Sequence, residues 1–193
     1  MSISDVFGYE SQNLRKLADK VAAAGFSWWF LISFMVTLII LIILNLIESR
    51  GIKLIAGCED AKPVLAALKS QGVSAIGAAG FCWGGNVAVK LAKSNDIKAA
   101  VILHPGQLKD EDIHEVKVHT AILGAEMDRV SPPELKQFGE ILSVKSEIDS
   151  FVKIFPGVAH GWTMRYNAED ESAVKSAEEA HLDMLNWFIK YVK

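Results

Sequence analysis

The chain has 193 residues, a formal net charge of -3 and 51% hydrophobic residues. That length supports one domain with a real core, and the mild acidity, without a dense Lys/Arg patch, argues against a nucleic-acid partner. Two cysteines, Cys58 and Cys82, are too few for a disulfide scaffold and fit a reducing compartment. The first twenty residues are polar and mixed in charge, unlike a secretory leader.

Residues 10–24 read as a helix: Leu14, Leu17, Val21 and Ala24 recur at helical spacing, and Gly25 stands at the cap position. The composition then changes. Residues 26–47 carry no charge, run long enough for a bilayer core of about 20 residues, and place Trp28 and Trp29 near one end. This reads as an apolar, helix-like, candidate transmembrane segment that interrupts the domain. The other reading is a buried strand or core helix. A helix apolar on every face finds little protein to hide in here. Lys and Arg flank both ends, so no orientation follows.

From residue 59 on, helices and strands alternate. Residues 59–71 read as a helix closed by Gly72, and Cys58 falls before it in a loop-like stretch. Strands are expected at 74–79, 99–104, 118–124 and 150–155, with helices at 84–94, 131–145 and 169–192. Ser131 followed by Pro132 marks a capped helix start. Such alternation predicts a mostly parallel sheet with helices on both faces.

The chemistry concentrates at Gly80-Phe81-Cys82-Trp83-Gly84. An apolar strand enters this G-x-C-x-G and a helix leaves it. A nucleophile on so sharp a turn needs small residues at Gly80 and Gly84. The turn lifts the sulfur to the positive end of the next helix, and the Trp83 N–H would form half of an oxyanion hole. The plain alternative is a small buried cysteine in a tight turn. Two features weigh against it. Asp128 follows the strand near 118–124, and His160 follows the strand near 150–155. Groups just past the carboxyl ends of parallel strands line the crevice of an open sheet. The chain order nucleophile, acid, histidine is that of an α/β-hydrolase triad. His104 reads as structural; His114, His119 and His181 read as surface or packing residues. Trp83 and Trp162 either line an apolar substrate pocket or pack the crevice. Neither cysteine has a metal-ligand spacing to a histidine, so no metal and no cofactor is expected.

The segments Gly80-Phe81-Cys82-Trp83-Gly84-Gly85, Gly124-Ala125-Glu126-Met127-Asp128 and 155–162 together resemble the dienelactone hydrolase family, its plant members above all. The resemblance covers residues 4–25 and 59–193; residues 27–58 do not match. It implies an α/β-hydrolase fold over 1–193, a Cys82–Asp128–His160 triad, and hydrolysis of small-molecule ester or lactone bonds in the cytoplasm. It also places a thiol-binding carboxylate at Asp5 and the second oxyanion N–H at Val6, although the family more often has Glu where Asp5 stands. The strands that precede this segment in the family are absent here, so the fold is expected to be an incomplete one. Some plant relatives carry a β-glucanase name, for which a thiol site offers no chemical warrant, because glycoside hydrolysis normally uses two opposed carboxylates. The competing reading is a catalytically inactive, membrane-associated fragment of such a hydrolase. The fate of residues 26–47 separates the two: a sheet strand favours the enzyme, a free helix the fragment.

Overall fold

The computed structural model describes residues 1–3, 12–27, 30–31 and 50–192. Their elements in chain order are β1 (Ser2–Ile3), α1 (Gln12–Ala23), β2 (Phe30–Leu31), α2 (Arg50–Ser70), β3 (Gly77–Phe81), α3 (Trp83–Ala92), β4 (Ala99–Leu103), α4 (Asp110–His114), β5 (His119–Met127), α5 (Pro132–Ser143), β6 (Ser150–Ala159) and α6 (Glu171–Tyr191). The strands form one sheet in the order β2-β1-β3-β4-β5-β6. Every pairing in it is parallel.

The central strands β3 and β4 are buried on both faces, which explains why they read as continuous apolar runs instead of alternating ones. All five residues of β4, Ala99-Ala100-Val101-Ile102-Leu103, are buried. Their period of two still sorts them between two cores. Ala100 and Ile102 pack with Leu65 of α2, Val87 of α3 and Leu135 of α5. Ala99, Val101 and Leu103 pack on the other face with Leu17 of α1 and Met184 of α6. Each fully buried Leu is worth about 2–5 kcal/mol against truncation to Ala. Small residues in β3 let the helices come close: a Cβ on Gly77 would lie 2.7 Å from the Phe188 ring of α6.

Local signals set the helix ends. Gly72 turns at φ +86°, and its N–H and that of Val73 return to the carbonyls of Lys69 and Leu68 at 3.0 and 3.1 Å. At the start of α5, the Ser131 N–H and hydroxyl both donate to the Glu134 carboxylate at 2.7 Å. Asp170 caps α6 by accepting from the N–H groups of Ser172 and Ala173.

Three expectations change. Helix α2 begins at Arg50, not at residue 59, so Cys58 lies on a helix and not in a loop. The one-turn helix α4 was not foreseen. The segment 26–47 is not helical where it is described: Phe30–Leu31 forms strand β2, in parallel register with Ser2–Ile3. An extended pair satisfies its backbone polar groups through the sheet, as a helix would within itself. Residues 28–29 and 32–47 lie outside the described residues. Among the described residues, no helix is long and apolar enough to cross a membrane.

Candidate active site

Parallel strands point their carboxyl ends to one edge, so the turns that leave them share a crevice. Cys82 leaves β3 and precedes α3 with φ 55° and ψ -117°, a backbone state that costs a non-glycine residue about 1–3 kcal/mol. The neighbourhood holds it there. The Cys82 N–H donates to the Leu103 carbonyl at 3.1 Å, and the Cys82 carbonyl accepts from the N–H groups of Gly85 and Gly106, each at 3.0 Å. A Cβ on Gly80 would stand 2.1 Å from the Gly84 carbonyl oxygen, which is why the turn needs glycine at position 80. Gly85 is needed for another close approach: a Cβ there would meet Ile102 and Pro105 at 3.1 and 3.3 Å. The thiol is free and half-buried. Trp83 is the first residue of α3, so its N–H belongs to the group that has no partner inside the helix.

Asp128 and His160 come together through the end of the β5–β6 ladder. Ala125 pairs with Phe155 and Met127 with Ala159, leaving Glu126 opposite a bulge of Pro156, Gly157 and Val158. Gly157 adopts φ +68°, and its N–H donates to the Glu126 carboxylate at 2.8 Å. Asp128 and His160 are each one residue beyond the last rung, hence side by side. His160 Nδ1 donates to the Asp128 carboxylate oxygens at 2.9 and 2.8 Å. The Asp128 side chain is 2% exposed and that of His160 is 30%. Asp128 also accepts from the Arg129 N–H at 2.6 Å.

Cys82 stands close enough to the His160 ring to act on it. Asp128 first, and Cys82 second, raise the imidazole from its ordinary 6.5 to about 9. Cys82, His160 and Asp128 thus stand together at one crevice.

The turn carrying His160 is tightly built. Gly161 sits at φ +88°, and its carbonyl accepts from the N–H groups of Met164 and Arg165 at 3.0 and 2.9 Å. From α1, the Asn13 amide donates to the carbonyls of Met164 and Tyr166, each at 3.1 Å. Trp162 is buried against Phe155 and His104, with ring centroids 5.2 and 5.3 Å away. It packs the crevice, whereas Trp83 remains half-buried at its lip.

Asp5 and Val6 lie outside the described residues. His104, read as structural, is fully buried beside the His160 ring. The sequence offered one signal for it, a histidine closing a strand that is otherwise apolar. His181 is also buried, and burial lowers it to about 4; His119 stacks on Tyr191 at the far end of β5. Among the described residues, no group of three or more His, Cys, Asp or Glu side chains is placed to hold a metal ion.

The chain is 37% identical to a maize protein named endo-1,3;1,4-beta-D-glucanase, over 75% of this chain and 48% of that one. It is 39% identical to a Xenopus tropicalis carboxymethylenebutenolidase homolog, over 69% of this chain and 56% of that one. The chain thus spans about half the length of these two relatives. A solved structure titled as a putative dienelactone hydrolase from Klebsiella pneumoniae superposes with a TM-score of 0.71 at 18% identity, covering 98% of this chain and 85% of that one. That likeness speaks for the α/β-hydrolase fold. The model of the dienelactone hydrolase family matches residues 42–192, so it reaches into the stretch 27–58 that the motifs alone had set apart. On this match over most of its length, with the fold in agreement, the chain belongs to the dienelactone hydrolase family.

Proposed function

We propose that this protein hydrolyses small-molecule esters or lactones by covalent catalysis, with Cys82 as nucleophile, His160 as acid and base, and Asp128 as its orienting carboxylate. The observation that carries the reading is the hydrogen-bonded His160–Asp128 pair with Cys82 beside the imidazole. The Cys82 sulfur attacks the carbonyl carbon, forming an S–C bond and a tetrahedral oxyanion. The Trp83 N–H faces that oxygen, and by family resemblance the Val6 N–H supplies the second donor. As the C–O bond breaks, His160 passes its proton to the leaving alkoxide, and a thioester remains. His160 then takes a proton from water, the hydroxide cleaves the thioester, and the acid leaves with Cys82 restored. Asp128 holds the Nδ1 proton, so that Nε2 faces the sulfur and the substrate.

A glycosidase needs two opposed carboxylates about 5–10 Å apart. Among the described residues this site sets one carboxylate beside a thiol and imidazoles, so ester or lactone cleavage suits it better than the activity in the maize relative's name. Strand β2 within the sheet also favours an enzyme over an inactive fragment. The test is turnover of p-nitrophenyl acetate and of dihydrocoumarin, an aryl lactone, by the full chain and by Cys82→Ala. Turnover that needs Cys82 is expected; equal rates for both proteins would end the thiol mechanism.

The uncharged run at 32–47 carries a separate proposal, that the chain binds bilayers. Sedimentation with liposomes tests it, and a full chain that stays in the supernatant with and without lipid rejects it.

A further inference from the structure

Beside the proposed triad stands a second imidazole that it does not use. His104 follows β4 with φ 36°, a left-handed backbone that is uncommon for residues other than glycine, although Asn, Asp and His enter it more readily than the rest. Its N–H donates to the Leu123 carbonyl at 2.9 Å, extending the β4–β5 ladder by one rung. The ring has no exposure. It meets the His160 ring edge-on at a centroid distance of 5.2 Å and the Trp162 ring at 5.3 Å, with Phe81 behind it at 6.1 Å.

Its polar contacts continue away from the crevice. His104 Nε2 hydrogen-bonds the buried Thr163 hydroxyl at 2.7 Å. The Thr163 carbonyl accepts from His181 Nε2 on α6 at 2.8 Å. A connected line therefore runs from α6 through Thr163 and His104 to the face of His160. Thr163 belongs to the same tight turn as His160, so the line grips that turn from inside.

Packing alone would not select histidine here. A leucine or phenylalanine would fill the space, yet among the described residues the buried His104 Nδ1 has no hydrogen-bond partner. An orphaned polar atom and a strained backbone in one residue are costs that functional sites tolerate.

Resting on the reading of His160 as the catalytic base, we propose that His104 is a positioning residue, which, tethered to Thr163, fixes the plane of the His160 imidazole so that its Nε2 stays aligned on the Cys82 sulfur. The groups facing His104 are His160 and Arg165 on the turn after β6 and His181 on α6; those facing His160 are Asp128 and Cys82. Burial, together with its neighbours His160, Arg165 and His181, holds His104 far below the usual histidine range. It therefore stays neutral beside a ring that carries a proton, and adds no competing charge.

The test is the pH dependence of Cys82 alkylation by iodoacetamide, followed at the Cys82 peptide by mass spectrometry. It needs no substrate and is compared among wild type, His160→Ala, His104→Ala and Thr163→Val. In the triad reading, His160 promotes alkylation of the thiol, so His160→Ala moves the profile to higher pH. Positioning by His104 moves the profiles of His104→Ala and Thr163→Val the same way by about one pH unit, with about tenfold slower alkylation at pH 6. A residue that only stabilised the fold would lower Tm and leave these profiles in place. Thr163→Val removes one hydroxyl at almost constant volume and decides the matter if His104→Ala fails to fold. Profiles of both variants that overlay wild type while His160→Ala shifts would overturn the role of His104 and leave the triad standing. A His160→Ala profile that itself overlays wild type would overturn the triad reading, and the role of His104 with it.

Discussion

The turns after β3 and β4 lie next to each other, and each carries a non-glycine residue at positive φ, Cys82 at 55° and His104 at 36°. The first is half-open to solvent and sits on glycines; the second is sealed in the core. The thiol is presented at the start of a helix, where a substrate can reach it. The imidazole is surrounded by Phe81, His160 and Trp162, where only protein can reach it. The same kind of backbone strain thus serves exposure in one turn and internal bracing in the other. The contrast extends to charge. His160 is raised to about 9 by Asp128 and Cys82, whereas burial holds His104 and His181 low.

The largest expected effect breaks the exposed side of this contrast. Cys82→Ala removes the attacking sulfur and should lower ester or lactone turnover by about 10³-fold or more, with Cys82→Ser recovering little of it. Steady-state rates on p-nitrophenyl acetate check this, and near-normal turnover by Cys82→Ala would show that another group attacks.

Gly80→Ala tests whether the exposed turn depends on its glycines. The new Cβ would meet the Gly84 carbonyl oxygen at 2.1 Å and the Ala88 Cβ at 2.8 Å, and backbone cannot move aside cheaply. A loss of about 2–3 kcal/mol is expected, or roughly 4–12 °C in Tm for a chain of this size. Calorimetry with an unchanged Tm would mean that the turn relaxes freely.

Titration probes the charge contrast. The folded-state value of His160, about 9, is above its ordinary 6.5. Its stabilising contribution is therefore complete below about pH 6.5 and lost as pH rises through about 9. The sign reverses for His104 and His181, whose folded values are lowered. They stay neutral while the unfolded chain takes up protons, so stability falls as pH drops below about 6.5. Thermal melts should show a maximum near pH 6–7, with Tm about 2–6 °C lower at pH 9.5. His160→Gln should flatten the alkaline slope only. An alkaline slope that survives in His160→Gln belongs to other groups.

The smallest effect is a control remote from both turns. Ser131→Ala removes one hydroxyl from the cap of α5 and should cost about 0.5–1 kcal/mol, or about 1–4 °C in Tm. Catalytic rates should not change. A change in kcat would show that the end of α5 is coupled to the site.

Much of the site was legible because its signals are short in sequence. Gly80 to Gly84 contains its own steric logic, and Asp128 and His160 each follow an apolar run that reads as a strand. The order of the three along the chain supplied the rest. The bulge at Pro156-Gly157 that brings Asp128 and His160 level was not legible, since it depends on the register between β5 and β6. Phe30 and Leu31 misled in a different way. A run apolar on every side has no period, so helix and buried strand look alike, and Phe30–Leu31 went to the sheet because β1 offered it a partner.

By itself the sequence determined the parallel α/β plan and the three side chains of the proposed triad. Helix periods, caps and turn glycines act between residues a few positions apart, and a reader of the chain can see them. The tertiary structure alone decided which histidine would hold a proton. His104, His160 and His181 are chemically identical, and what separates them is the neighbours that the fold assembles. Asp128 and Cys82 stand beside one ring, and buried apolar surroundings close over the other two. Desolvation and Coulomb interactions sum over groups distant in sequence, so these differences exist only once the strands are in register.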